Sequence, residues 1–178
     1  MTDTQQLVRE GVLAAWRGGM RECCVATSGT SMLPLMPDGS RITVTACAAA
    51  ALRPGDIILF DSGQTLITHR VLRLRGGPDL RIYEKGDNRT AGTWIGSAQV
   101  VGRVTALERS GRTIRLDQGV WPLIGRLVAW YWCGLLAGRS LARRLPAPGG
   151  RLAIRLYHVA MFAPGRMLRR LLARSPRA

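Results

Sequence analysis

The chain has 178 residues, 47% of them hydrophobic, and a formal net charge of +15. That length suits one ordinary domain with appendages, and the apolar content excludes a disordered tail. Cysteines at 23, 24, 47 and 133 show no Cys-x-x-Cys or Cys–His spacing, which argues against a zinc site and for free thiols in a reducing compartment.

Met1 to Gly19 carries acidic residues and no apolar run, so it does not read as a secretory signal. Within it, Thr4 to Trp16 places Leu7, Val8, Val12 and Trp16 at helical spacing, and Gly18-Gly19 stops the pattern. A short amphipathic helix is expected in 1–19.

A β domain is expected over 20–118. Arg41 to Thr45 alternates, Asp56 to Phe60 is an apolar run, and Ile67 to Leu74 is rich in branched residues. Arg81 to Tyr83, Val100 to Leu107 and Arg112 to Leu116 continue the pattern between Pro-Gly, Gly-Gly and Asp-Asn turns. Six to eight short strands are predicted.

From Val120 the period becomes helical again, and 119–178 reads as an arginine-rich helical region. Val120 to Gly138 holds one arginine, Pro146 to Gly150 is a linker, and Arg151 to Phe162 and Arg166 to Leu172 pair arginines with aliphatic faces. No acidic residue follows Asp117, whereas eleven arginines do. Such a segment faces something anionic: phospholipid, nucleic acid or an acidic partner.

Three short motifs carry candidate chemistry. In Ser28-Gly29-Thr30-Ser31-Met32-Leu33-Pro34, a glycine-bearing bend can expose the Ser31 hydroxyl and its own amide. A serine needs both a base and oxyanion donors to act as a nucleophile. Arg53-Pro54-Gly55-Asp56 leads into an apolar strand and then Thr68-His69-Arg70-Val71. With an ordinary pKa near ~6.5, His69 suits a general base at neutral pH. Glu84-Lys85-Gly86-Asp87-Asn88 supplies Asp87, a carboxylate that can fix the tautomer of a histidine.

In this order and spacing, the motifs resemble those of type I signal peptidases of the endoplasmic-reticulum and archaeal kind, within the superfamily that includes LexA-type self-cleaving repressors. The resemblance covers roughly Val25 to Leu107. It implies a mainly β fold, a β-ribbon barrel, and a serine endopeptidase in which Ser31 attacks, His69 is the base and Asp87 supports it. It also implies a precursor or leader peptide as substrate, with neither cofactor nor metal. Gly29 stands where many members carry a hydroxyl that assists the oxyanion hole, leaving Ser28, Thr30 or the Ser31 amide to serve. The single lysine, Lys85, falls in the Lys-Gly-Asp-Asn motif and not at the position of the base, which favours Ser–His over Ser–Lys. The alternative is a weak or inactive relative that binds at a membrane surface.

Placement follows from the tail. Trp121, Trp130, Tyr131 and Trp132 are expected to anchor interfacial helices, with Arg143, Arg144, Arg155, Arg166, Arg169 and Arg170 meeting anionic lipid. This makes the protein cytoplasmic and peripheral. A single membrane pass through 120–138 is the alternative, opposed by Pro122 and Arg126. About 24 residues precede the β domain, too few for a helix-turn-helix, and the tail arginines do not interleave with stacking aromatics; both argue against nucleic acid.

Overall fold

The computed structural model describes residues 3–77, 79–109 and 111–142. Helix α1 (Asp3–Arg17) packs Val12, Leu13 and Trp16 against the core. Leu7 and Val8, expected on the same buried stripe, are exposed. Arg9 lies beside them and ties the helix down with two bonds to Asp61, Nε to Oδ1 at 2.7 Å and Nη2 to Oδ2 at 2.8 Å.

Eight strands follow: β1 (Glu22–Ala26), β2 (Arg41–Thr45), β3 (Ile57–Asp61), β4 (Leu66–Arg75), β5 (Arg81–Lys85), β6 (Thr93–Gly96), β7 (Val100–Arg109) and β8 (Arg112–Arg115). They form one antiparallel sheet in the order β1-β2-β7-β3-β4-β5-β6, with β8 also on β7. The mainly β expectation holds, but the barrel does not. The sheet is open, since β1 pairs with β2 and β6 with β5 but not with each other. Register shifts at Thr43/Val44, Leu59/Phe60 and Val71/Arg73 bend it where an extra residue enters one strand.

The apolar run of β3 is explained by burial on both faces. Ile57 and Leu59 join a cluster with Val25, Met32, Ile42 and Leu107, while Ile58 and Phe60 join one with Val71 and Ile82. A strand covered on both sides has no polar face to alternate.

Helix α2 (Trp121–Ala142) covers a third cluster, setting Ile124, Val128, Ala129 and Trp132 on Leu72. It approaches the Pro54-Gly55 turn so closely that a Cβ on Gly55 would lie 2.5 Å from the Arg126 nitrogen, and Gly55 also has φ +103°. Only glycine satisfies both conditions. The packing corrects the expected membrane anchors. Trp132 is buried in the core and Trp121 is partly buried against it, which leaves Trp130 as the outward tryptophan of the helix. Among the described residues no helix is long and apolar enough to cross a membrane, so a pass through 120–138 is not supported. The linker at 146–150 and the helices expected at 151–162 and 166–172 lie outside the described residues.

Trp132 closes α2 over the sheet and puts its ring 3.1 Å from the Lys85 ammonium, measured to the ring centroid. Trp132→Ala should cost about 3–5 kcal/mol of stability, as for other fully buried aromatics, read as a lowered midpoint in urea denaturation.

Candidate active site

Successive residues of a strand point to opposite faces, and β4 and β5 use this to separate two sets of charged groups. Glu84 pairs with Val71, and Lys85 pairs with Arg70. His69, Val71 and Glu84 therefore share one face, while Arg70 and Lys85 share the other.

On the first face the His69 Nδ1 meets the Glu84 carboxylate directly, and both side chains are buried. Nδ1–H donating to Glu84 leaves Nε2 as the ring's acceptor. This tautomer is the one a general base requires.

On the second face Arg70 holds Asp87 in a two-pronged ion pair, Nε to Oδ1 at 2.8 Å and Nη2 to Oδ2 at 2.6 Å. Its third nitrogen, Nη1, donates to the Gly55 carbonyl at 2.9 Å. The expectation that Asp87 stands behind the His69 ring is thus overturned. Arg70 and His69 are neighbours on one strand and project oppositely, so a carboxylate bound to Arg70 serves the far face. The acid at the histidine is Glu84, three residues earlier.

Lys85 also belongs to the far face. It is 1% exposed, donates from Nζ to the Gly86 carbonyl at 2.8 Å, and lies under Trp132. Burial pushes its pKa down to about 7, against an upward pull from Asp87. A depressed lysine is a plausible base on electrostatics alone, but Lys85 is absent from the lining of the cleft that holds Ser31.

Ser31 is placed by the turn after β5. The Asn88 amide donates to the Ser31 carbonyl at 2.7 Å, and Asn88 Nδ2 donates to the Thr30 carbonyl at 3.1 Å. Gly86, in the same turn, is the point where the Ser31 backbone and the His69 ring converge. A Cβ built on it would lie 2.7 Å from the Ser31 carbonyl oxygen and 2.8 Å from His69 Nε2. The imidazole nitrogen left as acceptor is therefore the one turned toward the Ser31 segment. Upstream, Gly29 adopts φ +93° and its amide is held by Asp38 Oδ1 at 2.8 Å, which fixes the bend before the serine.

These groups open onto one cleft of about 980 Å³, lined by Ser28, Gly29, Thr30, Ser31, His69 and Glu84 together with apolar residues such as Val25, Met32 and Leu66. The N-terminal helix contributes Thr4, Val8 and Arg9 to its wall. Of the expected site residues, Ser31, His69, Thr30 and Ser28 are brought together, and Asp87 is not. Glu84 was visible in the sequence beside Asp87, but choosing between them requires the β4–β5 register. Among the described residues no cluster of His, Cys, Asp and Glu could hold a metal.

Because Asp87 neutralises a buried guanidinium, its role here is structural. Asp87→Asn should destabilise the fold by about 3–5 kcal/mol, the usual cost of leaving a buried charge unpaired, measured by urea denaturation. Comparison with protein-family models and with curated proteins gave no match to this chain.

Proposed function

We propose that the protein is a serine endopeptidase of the signal-peptidase type, with Ser31 as nucleophile, His69 as general base and Glu84 orienting the base. The observation that carries this reading is the convergence of the Ser31 segment and His69 Nε2 on the Cα of Gly86, with Glu84 on the opposite ring nitrogen. In this mechanism Ser31 Oγ attacks a peptide carbonyl while His69 Nε2 takes its proton. The carboxylate of Glu84 stabilises the resulting imidazolium through Nδ1–H. His69 then returns the proton to the leaving amine. Water repeats the sequence on the acyl-enzyme and frees Ser31.

The oxyanion needs preorganised donors. Neither the amide nor the hydroxyl of Ser31 is engaged by a described residue, so the amide is available for this role. Ser28 and Thr30 border the same cleft and carry hydroxyls close to Ser31 in the chain.

The substrate class follows from the edges of the sheet. Residues 66–69 of β4 pair with β3 on one side, while β5 begins to pair only at Arg70. Leu66 to His69 thus leave an open edge along the cleft, and β1 has a second, since β2 is its one partner. Unpaired strand edges recruit extended chains. A peptide segment, extended and apolar enough to match Val25, Met32 and Leu66, suits this cleft better than a compact metabolite.

Cleavage of candidate precursor peptides should be lost in Ser31→Ala and His69→Ala. In Glu84→Gln it should fall by roughly 10²- to 10⁴-fold in kcat, by analogy with neutralising the acid of a Ser-His-Asp triad. Purified protein whose cleavage survived both the Ser31 and His69 changes would rule the mechanism out. A protein that bound the peptides without cutting them would instead be the inactive binding relative.

A further inference from the structure

A second cavity, of about 240 Å³, opens where α2 begins and shares no lining residue with the Ser31 cleft. Its walls carry Arg53 from the turn before β3, Arg70 from β4, Arg103 from β7 and Arg126 from α2, with two carboxylates, Asp56 and Asp117. Arg70 is already neutralised by Asp87, and Asp117 by Arg115 at 3.0 Å. What remains is three arginines against Asp56 alone. Asp56 is itself occupied, accepting the Arg53 backbone amide at 2.8 Å, and it stands 3.9 Å from Arg103 Nη1, beyond hydrogen-bond reach.

Apart from the long Arg103–Asp56 ion pair, the three arginines have no hydrogen-bond acceptor among the described residues. The Nε of Arg103 is buried without a hydrogen-bond partner. Buried donors in folded proteins are nearly always satisfied, and an orphan marks a place for water or an ion. The side chains of Arg53 and Arg126 form no ion pair or hydrogen bond among the described residues. The cavity also meets the first turn of α2, a helix of 22 residues with no acidic residue in that turn, which adds the positive end of its dipole to the cavity.

We propose that this cavity is a binding site for a phosphate-type oxyanion, with the half-buried Arg103 as the central donor and Arg53 and Arg126 closing over it. Guanidinium forks match tetrahedral oxyanions in geometry as well as charge. The group has two possible sources: free phosphate or a phosphomonoester, and a phospholipid head group. Val120, just before α2, and Leu123, Leu127 and Trp130 along it are exposed apolar residues, so a lipid phosphate bound at the helix start would have apolar side chains nearby. This site is independent of the peptidase reading and stands or falls without it.

The test is calorimetric titration of the full chain with inorganic phosphate against chloride of equal ionic strength, alongside sedimentation with phosphatidylglycerol or phosphatidylcholine vesicles. Saturable binding of phosphate, of phosphatidylglycerol vesicles or of both is expected. It should weaken about tenfold or more in Arg103→Gln and in Arg126→Ala, and stay unchanged in Arg41→Ala. Vesicle binding that follows the same variants assigns the lipid as the source, whereas phosphate binding without it assigns a soluble ligand. Arg126 is exposed, so its variant keeps the test available if Arg103→Gln does not fold. No saturable binding of either probe, or equal binding by wild type and both variants, overturns the site.

Discussion

The candidate site depends on the two-residue period of β4 and β5. One strand carries His69 and Arg70 in succession, the other Glu84 and Lys85, and their register sends each pair to opposite faces. Like thus meets unlike twice. His69 finds Glu84 on the cleft side, and Arg70 finds Asp87 under α2. A slip of one residue would exchange the faces and put an arginine where His69 stands. The hydrogen bonds of the Gly86-Asp87-Asn88 turn then hold the Ser31 segment near His69.

The far face explains why so much charge is buried in a small domain. Arg70, Lys85 and Asp87 are all nearly inaccessible beneath the helix that brings Trp132. Buried ion pairs are weak contributors to net stability, but breaking one is costly. Their value here is positional. Arg70 joins the Gly55 turn to Asp87, and Asp87 belongs to the turn that carries Gly86 and Asn88. The anchor of α2 and the turn that holds Ser31 are therefore connected through one guanidinium.

Much of this was legible in the residue pattern. The alternating run at Arg41, the branched-residue run at Ile67 and the run at Val100 became strands, and His69 emerged on the same face as Val71, as its spacing predicts. Four features were not legible. Glu22–Ala26 and Thr93–Gly96 are short strands with little alternation, and their pairing with β2 and β5 decides them. The acid at His69 was misplaced because Glu84 and Asp87 lie in one pentapeptide, where only the register distinguishes them. Trp132 looked interfacial because aromatic density does not say which side of a helix meets the core. The arginine-lined cavity joins residues 53, 103 and 126, whose proximity no local pattern reveals.

The activation of Ser31 by His69 can be tested most directly with a serine-directed fluorophosphonate probe and peptide mapping by mass spectrometry. A single adduct at Ser31 in the wild-type protein, absent from His69→Ala, is the predicted result. An unmodified Ser31, or one labelled as fast without the histidine as with it, would contradict the assignment.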